Sequence, residues 1–278
     1  MNYLAYNKLA GGVSDETIRE ITTKYSDKFP NMELINEADV TLEELNDKLN
    51  DDDNVLLIGG DGTVNFFANV WNNIKVKGNW YIHSAGTGND FLTDVEAKDN
   101  FSSLNEYMNN LPTVTANGIT KYFVNNVGYG LDGEVCVVAD KKKEKGQKIN
   151  YTKILVGLLL FKFKKRKCKV IVDGKEYNFN NAFIAATMNG RYYGGGMKCA
   201  PNQDRKSDKV SVVVMTGKSR LLTLIKFTKI FTGEYIKYKK NVHIMEGKEI
   251  EVSFDTVCGL QYDGEVIKDV LSYKVSKK

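Results

Sequence analysis

The stretch VLLIGGDGTVN, from Val55 to Asn65, sets the reading of the whole chain. Val55, Leu56, Leu57 and Ile58 form a short, unbroken apolar run ended by a turn signal, the pattern of a strand covered on both faces. The glycines after it let the backbone turn sharply and lie close to a ligand. Thr63 offers a hydroxyl and a backbone N–H at the mouth of the helix that follows. A turn rich in N–H groups at a helix start suits a phosphate. Asp61 puts an acceptor there instead of another donor, which points to a metal ion or a ribose hydroxyl. The competing reading is a strand-to-helix turn with no ligand. Two further polar glycine turns downstream weigh against it.

Upstream of this stretch, Asn2 to Tyr6 reads as a first strand. Ser14, with Asp15 and Glu16 behind it, opens a helix expected to reach about Lys28 and to stop before Pro30. Met32 to Ile35 reads as a second strand. Thr41 caps another helix, with Leu42, Leu45 and Leu49 as its apolar positions. Downstream, Val64, Phe67, Ala68 and Trp71 keep helical spacing. Trp80 to His83 is a fourth strand that runs into Gly86-Thr87-Gly88-Asn89-Asp90. Four strand-then-helix units predict a doubly wound parallel α/β sheet, and such sheets bind ligands outside the carboxyl ends of their strands. Both glycine turns fall there.

The pattern changes near Leu111-Pro112-Thr113. Beyond it the strands come in pairs, with Asp173-Gly174 and Asp263-Gly264 as hairpin turns. Residues 1–113 are therefore expected to form an α/β domain and residues 114–267 an antiparallel β-sandwich with a few inserted helices. The last segment, 268–278, is an apolar strand that could return to the first domain.

A length of 278 residues suits two domains, and 42% apolar with 27% charged residues is ordinary for a soluble globular chain. No run of 18 uncharged apolar residues is present, and the start lacks the pattern of a secretory signal. The cysteines, Cys136, Cys168, Cys199 and Cys258, have no metal-ligand spacing and read as reduced thiols of a cytoplasmic protein. A net charge of +4 gives no reason to expect nucleic acid. Its clustering matters more. Lys153 to Lys169, KILVGLLLFKFKKRKCK, joins an apolar helix candidate to a basic block. That is either a buried helix followed by a solvated strand edge or a contact with anionic lipid.

Four clusters could carry chemistry: Gly59 to Thr63; Gly86 to Asp90; Asn189-Gly190 through Gly194-Gly195-Gly196 to Asp208; and Tyr262-Asp263-Gly264-Glu265. They supply carboxylates (Asp61, Asp90, Asp208, Asp263, Glu265) without a histidine partner. His83 and His243 sit among apolar neighbours and read as structural. Carboxylates with glycine turns suit magnesium and phosphate, and a carboxylate can accept the proton of an attacking hydroxyl. Asp263-Gly264 alone is a plain hairpin turn. With Glu265 two residues on, strand alternation would put both carboxylates on one face.

In this order, GGDGT, GTGNDF, NGRYYGGGMKCAPN with Asp208, and YDGE resemble the diacylglycerol kinase catalytic-domain family of soluble lipid kinases. The resemblance spans nearly the whole chain. It implies a nucleotide-binding α/β domain, a lipid-binding β-sandwich and an active site in the cleft between them. It implies ATP and Mg²⁺ as cofactors, with Asn7, Gly59, Gly60, Asp61, Gly62, Thr63, Asn65, Thr87, Asn89 and Asp90 around the nucleotide. Asp263 matches the general base, assisted by Glu265. A structural magnesium matches the Asp208 side chain and backbone oxygens near Arg205 and Val210. Two positions depart from the family pattern: Asn7-Lys8 stands where Asn-Pro is usual, and Asp208-Lys209 where Asp-Gly is usual.

The function expected on these grounds is transfer of the γ-phosphoryl group of Mg-ATP to the hydroxyl of diacylglycerol or a related lipid. The lipid partner would be met by peripheral contact at the inner membrane surface. Phosphorylation of a soluble alcohol such as NAD, and nucleotide or lipid binding without catalysis, are the alternatives. Edge strands of the sandwich leave a homodimer open.

Overall fold

The computed structural model describes residues 1–8, 13–85 and 88–278. The chain divides into two compact units, Met1–Leu111 and Pro112–Lys278. The division falls two residues before the expected boundary. Among the described residues no helix is long and apolar enough to cross a membrane.

The first unit runs β1 (Asn2–Tyr6), α1 (Asp15–Lys24), β2 (Glu33–Asn36), α2 (Leu42–Lys48), β3 (Asn54–Gly59), α3 (Asp61–Trp71), β4 (Asn79–Ser84), α4 (Asp90–Asp94), β5 (Phe101–Ser103) and α5 (Asn105–Met108). Its sheet has the order β2-β1-β3-β4-β5. β1, β2, β3 and β4 are parallel, as expected. β5 adds an antiparallel edge beside β4, a strand too short and too polar to stand out in the sequence. The order reverses between β1 and β3, and the carboxyl ends of a sheet at such a switch point are where ligands bind. Val55, Leu56, Leu57 and Ile58 are fully withdrawn from water, because helices cover both faces of β3. On one face, Ile18, Ile21 and Tyr25 from α1 and the turn after it pack on Leu4, Leu56 and Ile58.

Local signals set the helix starts. The Ser14 hydroxyl accepts the Thr17 N–H at 3.1 Å, and Thr41 and Glu44 cap each other reciprocally around α2. α1 ends at Lys24 rather than near Lys28. Tyr25 leaves the helical region at φ −107°, ψ 10°, and the chain reaches Phe29 in turns closed on Thr23 and Tyr25 carbonyls.

The second unit contains β6 (Thr113–Ala116), β7 (Ile119–Tyr122), β8 (Asn126–Gly130), α6 (Leu131–Glu144), α7 (Tyr151–Gly157), β9 (Arg166–Val172), β10 (Lys175–Met188), β11 (Tyr192–Tyr193), β12 (Met197–Lys198), β13 (Val210–Thr216), α8 (Arg220–Phe227), β14 (Val242–Gly247), β15 (Glu249–Tyr262) and β16 (Glu265–Ser276). The long strands β10 and β15 each pair with β9 through their first halves and with β8 through their second. Register shifts bend both strands, so that they pass from one side of the sandwich to the other. Between them lies a core of Val170, Val212, Val252, Leu260, Tyr129 and Tyr273. The C-terminal segment does not return to the first unit. Residues 265–276 form β16, hydrogen-bonded to β15 and β6. A two-residue hairpin turn sets it directly beside β15.

Candidate functional site

The glycine turn after β3 opens α3 directly, with Gly60 as N-cap in an extended conformation. The glycines serve close approach. A Cβ on Gly59 would lie 2.1 Å from the Thr63 hydroxyl, and one on Gly60 would lie 2.8 Å from the Gly88 carbonyl oxygen. Gly88 is thereby laid against the first turn. The Asp61 N–H donates to the Gly88 carbonyl at 3.1 Å, and the Ala85 N–H donates to the Gly59 carbonyl at 3.0 Å. The Asp61 carboxylate accepts the N–H groups of Asp90 at 2.8 Å and Phe91 at 2.9 Å. Asn89, the N-cap of α4, makes no capping bond with its own side chain. Asp61 does that work from another helix, placing a negative charge on the first two N–H groups of α4. The carboxylate expected to meet a metal ion or a ribose thus has a structural task.

Thr63 is half-buried at the first turn of α3, and Asn65 and Asp90 are buried. Gly62 is exposed, with open space where a Cβ would stand. The first N–H groups of any α-helix lack intrahelical acceptors; that of Asp61 at the start of α3 is taken by the Gly88 carbonyl. Asn7 follows β1 on the neighbouring strand end. Thr87, with Gly86 beside it, lies outside the described residues.

Glu37 was not singled out in the sequence. Its N–H donates to the Tyr6 carbonyl at 2.9 Å, which sets it beside Asn7 at the switch point. Its Oε1 is buried with no hydrogen-bond partner among the described residues, and burial pushes its pKa up. A carboxylate at the end of the second strand of such a sheet is placed to accept from a ribose hydroxyl.

In the second unit, Asp263 and Gly264 form the two-residue turn between β15 and β16, both at positive φ, 46° and 97°. The strand itself resumes at Glu265, which is exposed. Asp263 is therefore a turn residue, and the alternation argument pairing it with Glu265 on one strand face does not apply. Its carboxylate turns to a segment 137 to 139 residues earlier and accepts the N–H groups of Val124, Asn125 (2.8 Å) and Asn126 (2.9 Å). The Arg205 guanidinium donates to the Val124 carbonyl at 2.6 Å and to the Asn125 side chain at 2.8 Å. The Asn189 side chain donates to the same Val124 carbonyl at 2.9 Å. Two clusters distant in sequence, those of Asn189 and Asp263, thus converge on Val124–Asn126.

The set Arg205, Asp208 and Val210, which the resemblance assigns to a structural magnesium, has other partners in this structure. A hard divalent ion needs converging oxygen ligands. The Arg205 carbonyl instead accepts the Lys277 ammonium at 2.9 Å, and that ammonium also donates to Asn189 Oδ1 at 2.7 Å. Lys277 is buried, and desolvation brings its pKa down to about 8, with Arg205 adding to the effect. Asp208 is exposed and paired with Lys248 at 2.6 Å. Val210 opens β13, paired with Gly247. Among the described residues no three His, Cys, Asp or Glu side chains are grouped as metal ligands. Lysines stand against two of the three groups assigned to the ion, the Arg205 carbonyl and the Asp208 carboxylate.

Asp132 was also missed. It follows Gly128-Tyr129-Gly130 at the β8-to-α6 turn, a third strand–glycine–helix junction in the sequence. A Cβ on Gly128 would lie 1.6 Å from the Asp132 carboxylate. Gln261, two residues before Asp263, donates to that carboxylate at 3.0 Å. Desolvation raises the Asp132 pKa to about 6, and the Gln261 bond opposes the rise. The histidines are structural, as expected. His83 Nδ1 meets the Tyr25 hydroxyl at 2.9 Å, and burial lowers its pKa to about 4. His243 packs on Phe179.

The first unit is a mostly parallel sheet with glycine turns at the carboxyl ends of β3 and β4, and the second is a β-sandwich. The Diacylglycerol kinase catalytic domain matches residues 2–119, and the YegS C-terminal NAD kinase beta sandwich-like domain matches residues 125–273, more than half of the chain. The chain belongs to the diacylglycerol kinase catalytic-domain family. It is 25% identical over 255 residues to "Putative lipid kinase SH2167" of Staphylococcus haemolyticus, covering 87% of this chain and 75% of that protein. The crystal structure of a "putative diacylglycerol kinase" from Bacillus anthracis superposes with a TM-score of 0.73 at 20% identity, covering 100% of this chain and 93% of that one. Yeast NADH kinase complexed with NADH superposes with a TM-score of 0.50 at 11% identity, covering 100% and 80%. These two likenesses concern the fold.

Proposed function

We propose that the protein is an ATP-dependent lipid kinase acting on diacylglycerol or a related lipid with a free hydroxyl. The observation that carries this reading is the glycine turn after β3, with Asp61 bonded to Gly88, Asp90 and Phe91 at the carboxyl end of the sheet, in a chain of this family. Gly59, Gly60, Gly62, Thr63 and Asn65, with Asn7 and Asn89, would hold the phosphates of ATP, which arrives with magnesium as the co-substrate Mg-ATP; Asp61 and Asp90 would help position the nucleotide and its magnesium, and the resemblance adds Thr87 to the set. Asp61 supports this cradle by fixing α4 to α3. Glu37 accepts from the ribose.

In the reaction, the lipid hydroxyl oxygen attacks the γ-phosphorus, the bond from that phosphorus to the β,γ-bridging oxygen breaks, and ADP leaves. The hydroxyl proton passes to a carboxylate, which the resemblance assigns to Asp263. The three amides that hold Asp263 keep its carboxylate in one orientation, so it also positions the Val124–Asn126 segment. Glu265 assists from the start of β16.

Incubation with labelled ATP and a total bacterial lipid extract, with mass identification of the product, tests the function. A labelled phospholipid is expected. Labelling of NAD, or of no acceptor, would overturn it. Asp263→Asn tests the base, because asparagine tolerates the turn's positive φ yet cannot take the proton. Full activity in that variant would remove the assignment.

A further inference from the structure

The structure assigns a role to α8: with the segment 158–165 it forms a docking surface for an anionic lipid bilayer. The sequence drew attention to the basic segment around 153–169 and passed over α8. In the folded chain the two are neighbours. Arg220, the first residue of α8, donates to the Leu159 carbonyl at 2.8 Å, and Lys165 donates to the Lys218 carbonyl at 2.7 Å. Their inner sides share one core, in which Leu159 and Phe163 pack with Phe227 and Ile230. Their outer sides are apolar as well. Phe161 is 80% exposed, and Leu221, Leu222, Ile225 and Phe231 each expose more than half of their surface.

An amphipathic helix in a soluble protein normally turns polar residues outward. Here large apolar side chains face out at both elements, and contiguous patches of this kind mark an interaction surface. The charge around them selects the occupant. Residues 151–169 and 217–233 contain no aspartate or glutamate, and Lys162, Lys164, Lys218 and Lys229 stand exposed around the apolar side chains. The carboxylate bordering the patch, Glu234, is already paired with Lys229 and Lys237. Apolar side chains ringed by an excess of lysines complement the acyl boundary and the anionic headgroups of a membrane surface. A protein partner would need a matching acidic rim around an apolar centre. The membrane offers both layers without specific recognition.

The test is sedimentation of the full-length protein, without nucleotide, on vesicles of phosphatidylcholine alone or mixed with phosphatidylglycerol. Omitting ATP separates this outcome from that of the kinase reading. Binding is expected on the mixed vesicles only, and salt should weaken it. Lys162→Glu with Lys164→Glu should weaken it by about tenfold or more, as should Phe161→Ser with Leu222→Ser. All these side chains are exposed, and circular dichroism checks that the variants fold. Equal binding to both vesicle types, or unchanged binding by both double variants, would overturn the inference. So would a concentration-dependent dimer that the same substitutions dissociate, with no vesicle binding in the unaltered protein.

Discussion

The carboxylate of Asp61 caps α4 through the N–H of Phe91, 30 residues away, at 2.9 Å, with the Asp90 N–H bonded beside it. One side chain thus ties the start of α3 to the start of α4, and the proposed nucleotide site depends on that bond as much as on the glycines.

Asp61→Asn should therefore destabilise the protein before it affects any chemistry. The asparagine carboxamide keeps one acceptor oxygen and turns an NH₂ toward the second amide, leaving a donor facing a donor. A loss of about 1–3 kcal/mol is expected, read by urea unfolding, together with a raised KM for ATP. An unchanged unfolding midpoint would show that α4 does not need this cap.

The glycines of the turn should divide by position. Gly60→Ala drives a Cβ into the Gly88 carbonyl and should separate the two turns, with loss of both stability and nucleotide binding. Gly62→Ala meets open space inside a helix and should raise stability by about 0.5–1 kcal/mol. Its ATP affinity should fall all the same, because a methyl group would stand where phosphate approaches the backbone. Thermal shift with and without ATP reads both effects.

Asp132 predicts a pH dependence. Its carboxyl rises from 3.8 to about 6 in the folded chain, so between these values the folded chain holds a proton that the unfolded chain has released. Its contribution to stability is greatest below the unfolded value, falls as pH rises toward 6 and is level above it. Asp132→Asn lacks this titration. Relative to the unaltered protein it should gain roughly 1–3 kcal/mol between pH 4 and pH 7, measured by urea unfolding at both. A constant difference would show that Asp132 is well solvated.

Lys277 bears on the structural magnesium that the resemblance implies for the second unit. Lys277→Met leaves Asn189 Oδ1 and the Arg205 carbonyl without the ammonium they now accept from, and a loss of about 1–3 kcal/mol follows for buried acceptors. In the unaltered protein, EDTA and added magnesium should leave the melting temperature unchanged in the absence of ATP. A clear rise with magnesium alone would show that a cation enters despite the lysines.

The sequence by itself determined whatever depends on near neighbours. The run Val55–Ile58 with its glycines specified a buried strand, a tight turn and a helix start, since each is settled within a few residues by side-chain volume and backbone freedom. Ser14 and Thr41 marked helix starts, and Asp263-Gly264 marked a hairpin, for the same reason. The family resemblance also needed only ordered motifs. Tertiary structure alone decided what each charged group does. Asp61 reaches α4, Asp263 reaches Val124–Asn126, and Lys277 reaches Asn189 and Arg205, across separations that strand register sets and local sequence does not encode. The same holds for β16, kept in the sandwich by its pairing with β15 and β6, and for Asp132, whose carboxyl shifts because the fold withdraws it from water. A carboxylate in a sequence is a candidate ligand for anything positive. The amide, lysine or solvent it meets is fixed only when distant segments pack and the unpaired alternatives become too costly to bury.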